Sequence, residues 1–219
     1  MLEKGVKKVY AGARNVSTLS ELQATYGDRL VPIALDVTDE ASTKAAAAKV
    51  SELDILVNNA GVFSLGKIFS DLANSSLKQN LDVNVWGLIN VSNSLVNQLK
   101  KDSETAIVNI ASVAGLANMP MAGTYSVSKA AVHSITQGMR GELANTNTLV
   151  VGVYPGPIDT DMAAGLDMPK DTVENVARNV VQGLMNGAED IYPDAMSEQV
   201  GAAYATTPKG VEKQFSTFL

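Results

Sequence analysis

Short apolar runs and longer amphipathic ones alternate along this chain. The runs KKVYAGA, LVPIALDV, LDILVNNAG, AIVNIAS and TLVVGVYPG have strand length and are rich in valine and isoleucine. Between them, VWGLINVSNSLVNQLKK and YSVSKAAVHSITQGMRGELA have helix length, and the alanine-rich stretch at 41–50 has good helix composition. The strands are too uniformly apolar to leave one face in water, which predicts a parallel sheet covered by helices on both sides. The expected class is α/β, doubly wound. At the start of the chain, VKKVYAG reads as a strand, and LEKG before it as the last turn of a helix capped by Gly5. In such folds ligands sit beyond the carboxyl ends of the strands, so chemistry is sought there.

Composition narrows the picture. A length of 219 residues with 46% hydrophobic and 18% charged positions predicts one globular domain over 1–219, and no apolar run approaches the roughly 20 residues of a membrane span. The lysines of the first residues are followed by charge and glycine rather than by the apolar core of a secretory signal, so a soluble, cytoplasmic protein is expected. There are no cysteines, which excludes disulfides, thiolate nucleophiles and cysteine metal sites. A net charge of -6 argues against nucleic acid as a partner.

The strand ends carry the residues of interest: Asn58, Asn59, Ala60 and Gly61 after the third run, Ser112 after the fourth, and Pro155 and Gly156 leading into PIDTDM after the fifth. Thirteen residues beyond Ser112 comes Tyr125, and Lys129 follows it by four. On a helix that spacing puts phenol and ammonium on one face, where the cation can stabilise phenolate and bring the tyrosine towards working pH as a general acid. A serine hydroxyl from the neighbouring strand end would hold a carbonyl oxygen against it. The Tyr-x-x-x-Lys pair alone carries little, because it arises readily by chance.

The full set of motifs carries more. NNAG at 58–61, DVN at 82–84, NIAS at 109–112, YSVSK at 125–129 and PGPIDT at 155–160 closely resemble, in order and spacing, those of the short-chain dehydrogenase/reductase family, over essentially the whole chain. The resemblance implies a Rossmann-like sheet and an oxidoreductase acting on a small-molecule carbonyl or alcohol. It implies Tyr125 as proton donor, Ser112 as the substrate-orienting hydroxyl, Lys129 on the nicotinamide ribose, and Asn84 as holder of a relay water. It also implies Asp36 beside the adenine ring, with a helix cap before TDEAS as its other reading. Asn58, Ala60 and Gly61 would line the adenosine-ribose side. Pro155 and Gly156 open the cofactor loop, with Ile158 and Thr160 at the carboxamide. Ala13 followed by Arg14, where an acidic residue would repel a 2′-phosphate, favours NADP(H) over NAD.

The same resemblance exposes a gap. The family begins with a strand, a TG-x-x-x-G-x-G turn and a helix, and residues 2–5 correspond to the end of that helix. The missing strand would lie centrally, between KKVYAGA and LDILVNN. The expectation is that these strands close on each other, that another chain supplies the strand, or that the sequence is part of a longer product. The missing turn cradles the pyrophosphate, so a second reading is a degenerate scaffold that binds another nucleotide, such as flavin mononucleotide, or serves only as a dimerisation partner. A homodimer or homotetramer is expected through helices at 83–101 and 125–145. His133, Asp159 and Asp161 receive no metal role, and Met119, Met121, Met162 and Met168 hint at an adaptable apolar pocket wall. The C-terminal segment is either a dimer-side helix pair or a substrate cover.

Overall fold

The structure, a computed structural model, describes residues 1–99 and 103–219. Six strands are present: β1 (Val9–Ala13), β2 (Leu30–Ala34), β3 (Ile55–Asn58), β4 (Thr105–Ile110), β5 (Thr148–Val153) and β6 (Asp190–Ile191). All pairings are parallel, in two sets: β1 with β2, and β3-β4-β5-β6. Among the described residues β1 and β3 are not hydrogen-bonded to each other, so the two edges do not close up. A single apolar core nevertheless joins both sets, because Ile33 of β2 packs in one cluster with Leu56 of β3 and Ile107 of β4. On the opposite face of β3, Val57 is 42% exposed beside that open edge.

The helices are α1 (Ser20–Tyr26), α2 (Glu40–Ala47), α3 (Ala73–Leu81), α4 (Gly87–Leu95), α5 (Gly123–Leu143), α6 (Val173–Met185), α7 (Ala195–Thr206) and α8 (Pro208–Phe215). Alternation along β4 and β5 places them on both sides of the sheet. Ile107 packs towards α2 and α4, and Asn109 bonds Thr136 of α5, whereas Val108, Val151 and Val153 pack with Val180 and Leu184 of α6. No helix among the described residues is long and apolar enough to cross a membrane.

The expected helix at 83–101 begins earlier and is irregular. Helical backbone runs from Ala73, passes through a π-helical turn at Asp82–Trp86, and ends in a 3-10 turn at Val96–Gln98; Lys100 and Lys101 lie outside the described residues. The LEKG tail is a 3-10 turn over Leu2–Lys4 ended by Gly5 in the left-handed region at φ 91°. The C-terminal pair α7 and α8 buries Val200, Val211 and Phe215 against Val113 and Val132, so its inner face belongs to the core.

Candidate active site

Beyond the carboxyl ends of β3, β4 and β5 opens a cavity of about 470 Å³. Ser112 reaches it by ending β4 and capping the turn Val113–Gly115, its hydroxyl accepting from the Ala114 amide at 3.2 Å and donating to the Pro155 carbonyl at 3.3 Å. Tyr125 and Lys129 reach it from the first turns of α5. Gly115 allows this meeting: a Cβ there would lie 2.5 Å from the Lys129 carbonyl oxygen, so any side chain would push α5 away from the Ser112 turn.

Burial dominates the electrostatics. The Tyr125 phenol is pushed up to about 12 by desolvation, and a hydrogen bond with Ser112 pulls it part of the way back. Its ring meets Phe63 edge-on, with centroids 4.7 Å apart. The Lys129 ammonium donates to the Ile110 carbonyl at 2.7 Å and sits 5.8 Å from the Tyr125 ring centroid. Burial and the Ser112 hydrogen bond, rather than the expected lowering by this cation, set the phenol's value, and the tyrosine is held protonated. Burial pushes Lys129 itself down to about 8, against an ordinary lysine near 10.5. Its folded value lies below its unfolded one, so the protein gains stability as pH rises between those values, where the unfolded chain holds the extra proton. Carbon-13 titration of the lysine side chains should show one ε-carbon with a midpoint close to pH 8, absent from Lys129→Met.

Asn84 is 2% exposed and fully engaged: its Oδ1 accepts from the Val62 amide at 2.8 Å, and its Nδ2 donates to the Val62 carbonyl and the Ser128 hydroxyl, both at 3.0 Å. One turn earlier Asn80 does the same for Ser64, accepting at 3.0 Å and donating at 2.8 Å. The two amides hold the extended segment after β3 along the helix and so place Gly61 and Phe63 in the wall. Asn80 was not singled out in the sequence, although its spacing of four from Asn84 was there to be read.

Asn58 does not line the cavity. Its amide donates to Ser92 at 2.9 Å and Asn109 at 2.8 Å inside the core, and Asn59, Ala60 and Gly61 form the wall instead. Asp36 caps its own turn, accepting from the Thr38 amide at 2.9 Å and hydroxyl at 2.7 Å, contacts that hold its carboxyl below the usual range, with Arg14 adding to the effect. The cap of α2 is Asp39, so that reading of Asp36 is corrected. Arg14 is exposed at the end of β1. His133 shares a hydrogen bond of 2.7 Å with Tyr154 and packs, as expected of it.

Pro155, Gly156, Ile158 and Thr160 line the cavity's second side. The loop that follows is closed at its neck by the backbone amide of Asp159 donating to the Asp171 carbonyl at 2.8 Å and that of Asp171 donating to the Pro157 carbonyl at 3.1 Å. Sequence reading missed what anchors it: buried Asp194, the cap of α7, accepts from Ser197 at 2.9 Å and from the Gly156 amide at 2.8 Å. The D-x-x-S capping pattern was legible, its reach to Gly156 was not. Asp194→Ala removes a cap and strands a buried amide, so a loss of about 2–4 kcal/mol is expected in urea unfolding.

The family model described as short chain dehydrogenase matches residues 1–171. An uncharacterized oxidoreductase of Staphylococcus saprophyticus is 33% identical over 189 residues, covering 80% of each chain. One from Staphylococcus aureus strain USA300 is 30% identical over 189 residues, covering 83% of this chain and 81% of its own. Among solved structures, a short chain dehydrogenase from Burkholderia cenocepacia in complex with NADP superposes with a TM-score of 0.90 at 30% identity, over 98% of this chain and 89% of that one. A short-chain dehydrogenase/reductase from Burkholderia phymatum in complex with NAD has a TM-score of 0.81 at 22% identity, over 97% of this chain and 89% of its own, and speaks for the fold alone.

Proposed function

Because this chain belongs to the short-chain dehydrogenase/reductase family of oxidoreductases, we propose that it reduces a carbonyl group, or oxidises the matching alcohol, with Tyr125 handling the proton. The observation that carries this reading is the convergence of Ser112, Tyr125 and Lys129 in one cavity. Tyr125 gives its phenolic proton to the carbonyl oxygen, which the Ser112 hydroxyl orients. A phenol held near 12 by burial is a proton donor throughout the neutral range, which favours the reducing direction. Lys129 offers its ammonium to a ribose hydroxyl. Asn84 keeps the wall segment in place, with Oδ1 turned to the Gly61 side where Lys129 also lies.

A nicotinamide cofactor bound here would supply or accept the hydride. The nicotinamide and ribose end fits the donor set, since the walls at Asn59–Gly61 and at Pro155–Thr160 bring polar atoms and one buried ammonium into an otherwise apolar cavity. For the pyrophosphate, no glycine-rich turn stands at a strand end among the described residues. The flavin alternative is not favoured, as the neighbours above carry NADP and NAD. Arg14 and the NADP complex at 30% identity support NADP(H). The test is consumption of reduced nicotinamide on adding carbonyl compounds; an enzyme inert towards ketones and aldehydes, and towards alcohols in reverse, overturns the proposal.

We further infer a homodimer or homotetramer through the helices around Asn84 and Tyr125. Supporting this, Trp86 is 58% and Val127 39% exposed on those helices. Sedimentation should show a species of at least twice 23.0 kDa, and Trp86→Glu should shift it to the monomer.

A further inference from the structure

The chain contains eight methionines, and five of them, Met119, Met121, Met162, Met168 and Met196, line the one cavity. They come from three separate segments: the approach to α5, the loop after β5, and the first turn of α7. Leu166, Ala163 and Phe63 also line it. Methionine has three rotatable bonds and a polarizable sulfur, so a wall built from it adapts to apolar ligands of differing shape and offers no charge to a polar one.

The polar side chains are few: Asn59, Ser112, Tyr125, Lys129 and Thr160. Among the described residues Lys129 is the only charged side chain lining the cavity; one of its N–H groups is held by the Ile110 carbonyl, and the reading above commits the ammonium to the cofactor ribose. Among the described residues no arginine or histidine lines it that could pair with a carboxylate or phosphate. The loop over the mouth carries Asp159, Asp161 and Asp167, all exposed, with Lys170 as its single cation. An anionic substrate would be repelled at the mouth and unpaired inside.

From this geometry we propose that the substrate pocket takes uncharged ketones with long apolar arms, accepts a range of arm shapes, and rejects oxo acids and phosphorylated carbonyl compounds of the same length. The proposal rests on the carbonyl reading above for the placement of the oxygen at Tyr125 and Ser112. The apolar arms lie against the methionines, and each added methylene buried there should tighten binding about fourfold until the wall is filled.

The experiment labels the methionine methyl groups with carbon-13 and adds 2-alkanones from butanone to nonanone, then 2-oxooctanoate, to the protein with and without NADPH. Signals of the five wall methionines should move saturably with 2-octanone, with affinity rising along the series, while Met139 and Met185 stay still as internal controls. 2-Oxooctanoate should bind at least tenfold more weakly, and Met168→Lys should narrow that difference. Equal or tighter binding of the oxo acid overturns the proposal, as does a series in which no wall methionine responds. The methyl readout needs no turnover. Wall shifts without any reduction would remove the carbonyl-reductase reading and leave the pocket class standing, whereas faster reduction of the oxo acid would do the reverse.

Discussion

Tyr125→Phe is expected to lower the rate of carbonyl reduction by about 10²–10⁴-fold, the usual worth of a positioned general acid, with little change in cofactor affinity. The substitution removes one oxygen. Its ring still packs edge-on against Phe63, so the wall keeps its shape. What disappears is the only phenol lining the cavity among the described residues, the proposed proton donor, which is hydrogen-bonded with Ser112. Because the lost interaction is made in the chemical step, kcat and kcat/KM should fall together. Lys129→Ala should instead damage both binding and chemistry, since its ammonium is buried at the same wall and is replaced by an apolar void. Single-turnover kinetics separate the two variants. A Tyr125→Phe protein with full turnover would place the proton transfer on another residue, and the role of Ser112 would fall with it.

The parts of the site legible in the sequence are those set by local periodicity. Tyr125 and Lys129 share a face because a helix repeats at that spacing, and Ser112 lies at a strand end because an apolar run stops there. What escaped depends on which way a side chain turns or on contacts across long stretches of chain. Asn58 and Asn59 point to opposite faces of one strand end, and the sequence does not say which of them meets the core; in the structure Asn58 does, through Asn109. The phenol was expected to be drawn down by Lys129, and that depends on where the ammonium points, which is set by the Ile110 carbonyl nineteen residues away. Asp194 anchors Gly156 from a distance of thirty-eight residues. The π-helical turn at Asp82–Trp86 leaves no mark on hydrophobic spacing, yet it lies where Asn84 is aimed at Val62. In the sheet, by contrast, the open position between β1 and β3 was readable through the family resemblance, which implies a first strand that this sequence lacks and whose place in the doubly wound order is central.

That open position leads to the second large effect. Titration calorimetry of these 219 residues with NADPH should give an affinity weaker than that of a short-chain dehydrogenase carrying the glycine turn, by roughly a hundredfold to ten-thousandfold or beyond. The groups proposed for the two ends of the cofactor, Lys129, Thr160 and Arg14, remain, whereas for the pyrophosphate no glycine-rich turn stands at a strand end among the described residues. Each charge-assisted hydrogen bond forgone costs about 1.5–3 kcal/mol, and about 1.4 kcal/mol is a factor of ten, so the loss of two or three gives the stated range. NADPH should still bind more tightly than NADH, because Arg14 stands exposed at the end of β1 where a 2′-phosphate would be met. Arg14→Ala should erase that preference and leave NADH unchanged. Tight NADPH binding would show that another segment or subunit completes the cradle at the β1 and β3 edges, and sedimentation with and without NADPH would then tell a subunit from a segment. Equal affinity for the two cofactors would remove Arg14 from the site.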